Sequence, residues 1–322
     1  MKHMVLSNVV PDYPADTRNN PRGVICLANE ERFTAAFFSE PLSTYAIGWK
    51  DPENIQATLD GIAPPVEVPR RFEYKSAVNI EEFLSEVDDI RAIGSSFKKV
   101  EFTGTSVNQK TLNKGLTVTL DRDELVPGKE ERTVIRLISR LNRNDLRRAV
   151  AALIASASNT GKTWDGTAGK DPDMDVKTDL ETGATERGIG DNVIVYGATA
   201  WTKRLACLRA QNLAGQARSS TLSQDELAGF LGVDRIVQSK ERYQSTKTAK
   251  AEVVGAYVLM YYASLLADQE DPSNIKQFWT PTESGRFRVY REEHAKTIDI
   301  SVEHYSNIVL PSTLGLRKFT IS

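Results

Sequence analysis

One segment constrains the fold of this chain more than any other, a single long helix predicted over residues 129–158. Pro127-Gly128 precede it, and Glu130 and Glu131 fall in its first turn, where the helix dipole favours acids. Its first apolar face consists of Val134, Leu137, Ile138 and Leu141. Its second apolar set consists of Leu146, Ala149, Leu153 and Ala157. The second set is rotated by roughly a third of a turn, so the helix, ~45 Å long, must either kink or change its neighbours.

Five arginines form one stripe on this helix, opposite its first apolar face: Arg132, Arg136, Arg140, Arg143 and Arg147. A solvated helix face explains such a stripe. So does a seam that binds acidic groups of another chain, or phosphate, because a guanidinium pairs bidentately with both.

The composition excludes several classes of protein. With 322 residues, 41 basic and 43 acidic, the net charge is −2, which argues against a protein that coats nucleic acid mainly by charge. The two cysteines, Cys26 and Cys207, are far apart and indicate reduced thiols in a cytosol-like compartment. We find no apolar run of the length of a signal peptide or membrane span.

The stretch ASASNTGKTWDGTAGKD, residues 155–171, contains a Gly-Lys-Thr triplet that suggests a phosphate-binding loop. That motif requires a glycine five residues before Gly161, where Ser156 stands, and it must follow a strand. We therefore interpret Gly161 as the residue that terminates the long helix with a positive φ, with Lys162 near the negative end of the helix dipole.

No other pattern predicts an active site. The three histidines are His3, His294 and His304, and we expect the last two to be surface or partly buried groups. Asp171, Asp173 and Asp175 resemble the start of a calcium loop. Val176 and Thr182 stand where the loop needs glycine and glutamate, so an acidic helix start is the better interpretation. We predict no catalytic, cofactor or metal site, and no enzyme.

The rest of the chain combines extended segments with one compact region. Val100 and Phe102, and then Leu116, Val118 and Leu120, alternate with polar residues and predict two strands of a ribbon. A ribbon after a long loop buries little surface alone and needs a partner to lie on. Residues from about 175 to 280 alternate helix and strand like an α/β subdomain, and the tail is rich in strands. Within this region, Ser223 with Glu226 three residues later predicts a capping box at the start of a helix.

The order of these features resembles the tailed-phage major capsid proteins of the Hong Kong 97 fold. FFSEPLSTYAIGWKDPENIQATLDGIAPPVEVPRRFEYK (37–75) is similar to the family's N-terminal arm and first strand, and KVEFTGTSVNQKTLNKGLTVTLDRDEL (99–125) to the return of its extended loop. Residues 129–158 resemble its spine helix. LSQDELAGFLGVDRIVQSKERY (222–243) and the final strands continue the likeness, which covers nearly the whole chain.

The resemblance implies an α+β phage capsid fold with an N-terminal arm, an extended β-hairpin loop, a peripheral domain with the spine helix and an α/β axial domain. The expected boundaries are 1–69 for the arm, 70–122 for the extended loop, 123–170 for the peripheral domain, 171–280 for the axial domain and 281–322 for the closing strands of the peripheral domain.

The implied function is an icosahedral shell of hexamers and pentamers that encloses double-stranded DNA without sequence specificity. The expected location is the virion, after assembly in the host bacterial cytoplasm, with no membrane involved. The chain begins directly with the arm, so we expect either a separate scaffolding protein or a mature form, and a portal as a further partner. Some family members join a loop lysine to an asparagine, and Lys98, Lys99 and Lys110 lie in the corresponding region.

We hypothesise that the arginine stripe contacts acids of a neighbouring subunit: Glu81, Glu82, Glu86, Asp88 and Asp89. Two other functions stay open at this point. An encapsulin-type nanocompartment shell shares the fold but encloses proteins. A DNA-binding protein could use the arginine stripe, although its aromatic residues are not interleaved with the basic ones as a stacking platform requires.

Overall fold

A computed structural model of the chain describes residues 37–48, 54–76, 96, 105–211, 219–246, 248–264, 271–282 and 285–322. The α-helices of these residues are α1 (Glu40–Gly48), α2 (Ile55–Ile62), α3 (Lys129–Ser156), α4 (Pro172–Arg187), α5 (Ala198–Ala210) and α6 (Gln224–Leu231). The strands are β1 (Pro65–Glu67), β2 (Arg71–Ser76), β3 (Thr105–Lys110), β4 (Leu112–Asp121), β5 (Ser158–Lys162), β6 (Val193–Gly197), β7 (Arg235–Ser239), β8 (Arg242–Gln244), β9 (Lys250–Glu252), β10 (Tyr257–Tyr261), β11 (Lys276–Thr280), β12 (Arg288–Glu293), β13 (Thr297–Val309) and β14 (Arg317–Ile321). A 3₁₀ turn at Arg122–Glu124 leads towards α3.

Helix α3 begins at the predicted residue, ends at Ser156 instead of residue 158, and changes its neighbours along its course. Gly128 begins it with a φ of 75°, a conformation that glycine adopts without a steric penalty. The buried residues of its first half pack against one core: Val134, Leu137, Ile138 and Leu141. Those of its second half belong to another core: Leu146, Ala149, Val150 and Leu153. One continuous helix therefore connects two separate cores, as the rotation of its apolar face predicted.

The first core lies under a five-stranded sheet that we call sheet I. Its strand order is β1-β11-β13-β12, and β4 also pairs with β13. Along β13, Ile298, Ile300 and Val302 join the core formed with the first half of α3. Asp299 and Glu303, one residue out of phase, lie on the opposite face because successive side chains of a strand alternate. Over β4, β12 and β13, sheet I thus has one apolar face and one polar face. At its β1–β11 end, Val66 and Phe278 on the second face pack against Phe72 and Tyr74 of β2.

The second sheet, sheet II, has the strand order β5-β14-β10-β6-β7. Every residue of β6 is buried. Val193 and Val195 pack into the core with α2 and the second half of α3. Ile194 and Tyr196 pack into a core on the other face, with residues of α4, α5 and α6. Both faces of sheet II are therefore covered, which explains why the sequence of β6 is uninterrupted apolar.

Strands β2 and β3 form an antiparallel ribbon, from Arg71↔Lys110 to Ser76↔Thr105. Its base is anchored to its own chain by aromatic contacts, because the rings of Phe72 and Tyr74 lie 4.4 and 5.9 Å from the ring of Phe278. The predicted strand residues Val100 and Phe102, and the lysines Lys98 and Lys99, lie outside the described residues. Lys110 is the last residue of β3.

The interpretation of Gly161 is wrong. Helix α3 ends at Ser156, and Ala157 is already extended, with φ −74° and ψ 138°. Gly161 lies in β5, paired with Thr320 of β14, and is not among the described residues with a positive φ. The chain passes from α3 directly into β5, because β5 pairs with β14 at the edge of sheet II. Lys162 pairs with Asp175 at 2.7 Å instead of the helix end.

Two predicted helix starts are confirmed. The side chain of Asp171 accepts hydrogen bonds from the backbone N–H groups of Asp173 and Met174 at 3.1 and 3.2 Å. Ser223 and Glu226 form the reciprocal capping box of α6. The acidic run at 171–175 is thus a helix start, in which Asp173 also binds Arg204 within the core.

The sheets exchange strands between the predicted segments of the chain. β1 and β11 pair in sheet I, although they come from the segments assigned to the arm and the axial domain. β5 and β14 join β10 and β6 in sheet II. The division of the chain at residues 69, 122, 170 and 280 stays a prediction.

Candidate assembly surface

The arginine stripe is divided into an exposed part and a half-buried part. Arg132, Arg136 and Arg140 are exposed on α3, whereas Arg143 and Arg147 are half-buried. The guanidinium of Arg147 stacks on the ring of Tyr243 at 4.0 Å from its centroid. Tyr243 in turn packs against the core under sheet II, so Arg147 has a contact within its own chain. The exposed part is the part that offers positive charge to another molecule.

The exposed arginines border a depression of about 200 Å³ at the start of α3. Its lining consists of Glu124, Val126, Lys129, Arg132, Thr133 and Arg136. Val126 is 53% exposed and gives this lining an apolar contribution. Arg132 donates hydrogen bonds to the carbonyls of Gly128 and Pro127 at 2.9 and 3.1 Å, and this fixes the position of its guanidinium. A surface that combines an exposed apolar side chain with basic groups held in position offers both kinds of contact to another protein.

Other large apolar side chains of the described residues are exposed on three helices. Tyr45 on α1, Met174 on α4 and Phe230 on α6 are 41, 54 and 60% exposed. Lys177 of α4 donates to the carbonyl of Leu231 at 3.1 Å, which holds α4 against the end of α6. No pattern in the sequence indicates these residues, because the exposure of one side chain depends on which face of a short helix the tertiary fold covers.

A buried charge cluster holds the middle of α3 to sheet I. Asp145 accepts hydrogen bonds from Lys114 Nζ at 2.8 Å, His304 Nε2 at 2.9 Å and Ser306 Oγ at 2.9 Å. Arg148 also binds this carboxylate, at 2.8 Å, from the solvent side. Lys114 and His304 are opposite each other on β4 and β13, so the two strands present both donors to one carboxylate. Asp145 therefore fixes the height of α3 over the sheet.

This cluster shifts the pKa values of its members. Burial favours the protonated form of Asp145, but the hydrogen bond from His304 and the charge of Lys114 outweigh it and hold the pKa of Asp145 far below its ordinary value. Burial lowers the pKa of Lys114 and of His304. Since an ionised carboxylate only accepts hydrogen bonds, His304 donates from Nε2–H.

The position of His304 corrects the sequence analysis. His304 is 1% exposed, so it is fully buried and is neither a surface group nor a partly buried one. The prediction failed because His304 continues the inward-facing alternation of Ile300 and Val302 along β13, and its partner Asp145 lies 159 residues earlier. The sequence did contain this information, because side chains alternate between the two faces of a strand and residue 304 therefore lies on the same face as Ile300 and Val302.

The start of α3 is tied to sheet I by a second polar contact. Arg291 of β12 donates to both carboxylate oxygens of Glu130, at 3.0 and 3.1 Å. Glu130 is therefore satisfied within its own chain. The acidic residues that we predicted to contact the stripe lie outside the described residues: Glu81, Glu82, Glu86, Asp88 and Asp89.

Among the described residues, one group of side chains could hold a metal ion: Glu292, His294 and Asp299, at the turn between β12 and β13. The sequence analysis predicted no metal site and did not connect these residues. Their spacing, Glu-x-His followed by an acid five residues later, becomes informative only when the hairpin register is known.

None of the described helices combines the length and the apolar character that a membrane crossing requires.

The fold is shared with proteins of phages and virus-like particles. A phage-related protein from Bordetella bronchiseptica RB50 superimposes with a TM-score of 0.64 and 18% identity, over 88% of this chain and 96% of that chain. A putative capsid protein of a prophage from E. coli CFT073 gives 0.53 and 9%, over 88% and 99%. A virus-like particle protein from Pyrococcus furiosus gives 0.50 and 8%, over 89% and 100%.

The sequence comparisons add no relative. No protein-family model matches the chain, and no curated protein matches its sequence. At identities of 18% or less, the structural similarity establishes the fold. The predicted α+β fold of the phage capsid proteins is confirmed.

Proposed function

We propose that this chain, which has the α+β fold of phage capsid proteins, is the major capsid protein of a tailed phage. It assembles with itself, as hexamers and pentamers, into an icosahedral shell that encloses double-stranded DNA. The observation that carries the proposal is the superposition of 88% of the chain on 96% of a phage-related protein, together with the similar match to a putative prophage capsid protein. Both matches extend over 88% of this chain and nearly all of the other chain.

The exposed features of the chain support assembly. The surface at the start of α3 combines Arg132, Arg136 and the 53% exposed Val126. Phe230 and Met174 add apolar surface on α6 and α4. Such contacts are modest singly, and a closed shell gains its stability because each subunit makes many of them at once.

Within this function, the arginine stripe receives acidic residues of a neighbouring subunit. The candidates are Glu81, Glu82, Glu86, Asp88 and Asp89, whose charge complements the stripe. Arg140, exposed in the middle of α3, is the arginine we expect to matter most, since Arg147 is already engaged with Tyr243. A separate scaffolding protein and a portal belong to the same proposal, as does assembly in the host bacterial cytoplasm.

Electron microscopy of the purified, expressed chain tests the proposal. We expect closed, regular particles, either alone or after coexpression with a scaffolding protein encoded beside it. Double-stranded DNA inside particles from infected or induced cells supports the phage function. Particles that enclose a protein cargo and no DNA point instead to an encapsulin-type shell. A chain that stays monomeric at high concentration with its scaffold present contradicts both.

The role of the stripe is tested by reversing one charge. Arg140→Glu should reduce the yield of particles by roughly tenfold or more, because like charges then face each other at every copy of the contact. Arg209→Glu, a reversal at an exposed position of α5, is the matched control and should assemble normally. Circular dichroism of both variants separates failed assembly from failed folding. Normal particles from a folded Arg140→Glu variant would remove the stripe from the proposal.

A further inference from the structure

We propose that the turn between β12 and β13 carries a binding site for a divalent transition-metal ion, formed by Glu292, His294 and Asp299. The inference does not depend on the proposed function, because it rests on the geometry of a hairpin within one chain.

The hairpin register brings the three side chains to one face. Glu292 and Asp299 are directly opposite each other on the two strands, so their side chains point to the same side of sheet I. His294 follows Glu292 by two residues, and its backbone N–H donates to the carbonyl of Thr297 at 2.8 Å, which closes the turn. The three donors thus come from one hydrogen-bonded hairpin end, residues 292–299.

The separations of the donor atoms fit a shared ion. His294 Nε2 lies 3.6 Å from Glu292 Oε1 and 3.6 Å from Asp299 Oδ2. One ligand atom of each residue lies within 4.8 Å of the other two. A distance of 3.6 Å is too long for a hydrogen bond. Two ligands held at about 2.0–2.2 Å from one ion are separated by about 3–4 Å, which is the spacing seen here.

The charges of the site also favour a cation. Two carboxylates directly opposite on neighbouring strands repel each other, and the repulsion grows as they leave water. The side chains of Asp299 and Glu292 are only 10 and 21% exposed. A divalent ion supplies two positive charges between them, whereas a protonated His294 supplies one. With a metal bound, His294 acts as a neutral nitrogen ligand.

The donor set selects the class of metal. One imidazole nitrogen and two carboxylate oxygens suit Zn²⁺, Co²⁺, Ni²⁺ or Mn²⁺, whereas Ca²⁺ and Mg²⁺ prefer oxygen ligands alone. Three protein ligands leave at least one position of the ion for water. The His294 side chain is 40% exposed, so the ion can enter from solvent.

Metal titration of the purified chain tests the proposal. The full-length protein is treated with EDTA, dialysed and titrated with ZnCl₂ by calorimetry and with CoCl₂ by visible absorption, at pH 7.5. We expect binding of the metal to saturate at one equivalent per chain. Loss of this binding in His3→Gln would mean that the histidine near the N-terminus is the ligand. Our proposal requires the site to survive that substitution and to weaken by at least tenfold in His294→Gln and in Glu292→Gln.

Glu293→Gln is the matched control, because it removes the same charge from the same hairpin. Glu293 lies on the other face, where it pairs with Arg122 at 2.9 Å and with Arg291. We expect Glu293→Gln to bind metal like the original chain. Circular dichroism checks that each variant is folded, and the exposed position of His294 makes His294→Gln the decisive one. The proposal is overturned if the original chain shows no saturable binding, or if folded His294→Gln binds as tightly as Glu293→Gln.

Discussion

The two sheets of this molecule solve the problem of burial in different ways. Sheet II is covered on both faces, so β6 is apolar throughout and every one of its residues is buried. Among the described residues, α1 and the first half of α3 cover one face of sheet I. The other face carries polar residues that bind one another over β4, β12 and β13, and an apolar patch at its β1–β11 end, where Val66 and Phe278 pack against Phe72 and Tyr74. Tyr290 donates to one carboxylate oxygen of Glu303 at 2.8 Å, and Asn113 to the other at 2.9 Å.

The difference shows what α3 does for the fold. The buried face of its second half packs into an apolar core, where Leu146 and Leu153 are completely buried. Its first half lies over a sheet with a polar side, and the transition between the two environments is occupied by Asp145 and its partners. A charge at this transition is stable because β4 and β13 supply donors that an all-apolar sheet could not.

The sharpest way to break this comparison is to remove the charge at the transition. Asp145→Ala should lower the free energy of unfolding by about 3–5 kcal/mol, because the ammonium of Lys114, 6% exposed, would lose its carboxylate. Chemical denaturation of the unassembled chain measures the loss. Arg148→Ala is the control: its side chain is 48% exposed, and a contact of that kind contributes less than about 1 kcal/mol. A loss below that value in Asp145→Ala would show that α3 is held by its apolar contacts alone.

The two faces of sheet I can be compared within one strand. Ile300→Ala, on the apolar face and fully buried, should cost about 2–5 kcal/mol through lost contacts and the cavity left behind. Ser301→Ala, its neighbour on the polar face, loses a 2.7 Å hydrogen bond with Thr117 on the exposed side and should cost less than about 1.5 kcal/mol. Equal losses in the two variants, measured by the same denaturation, would mean that something else covers the polar face.

The sequence predicted best what depends on neighbours along the chain. The start of α3, the rotation of its apolar face and the capping box of Ser223 and Glu226 are local patterns, and all are found. The class of fold was recognisable because the order of arm, ribbon, long helix and α/β region is itself a pattern along the chain.

What the sequence could not provide depends on contacts between distant segments. Asp145 and His304 are 159 residues apart, and only the register of β4 against β13 brings Lys114 to the same point. Gly161 was predicted to end the helix because glycine is common just after helix C-termini. In the structure, the segment that contains Gly161 forms β5 and pairs with β14, which comes from the end of the chain. The triad of Glu292, His294 and Asp299 required the hairpin register in the same way.

The smallest effect that we expect is on the pH dependence of stability, which should differ between the buried cluster under sheet I and the region near sheet II. Burial lowers the pKa of His304, despite its hydrogen bond to Asp145, and the charges of Lys114 and Arg286 lower it further. The unfolded chain then binds more protons than the folded chain as the pH falls through about 6.5, the ordinary value for histidine. Stability is therefore lost on acidification, with a slope of at most about 1.4 kcal/mol per pH unit from this residue.

Near sheet II the sign is opposite. Burial raises the pKa of Asp191 to about 6, although its partner Arg187 opposes the shift. The folded chain then binds the extra proton, so this carboxyl stabilises the fold as the pH falls through about 6. The two contributions partly cancel in the original chain, and a difference between variants is needed to separate them.

Denaturation of the original chain and of His304→Gln, between pH 7.5 and 5.0 with EDTA present, provides that difference. The glutamine amide can still donate to Asp145 but takes up no proton, so His304→Gln should lose less stability on acidification than the original chain. Ser306→Ala, which removes a neutral donor from the same carboxylate and leaves His304 in place, is the control and should keep the pH dependence of the original chain. If His304→Gln and the original chain show the same pH dependence, the buried cluster under sheet I does not respond to acid, and the contrast between the two regions is confined to packing.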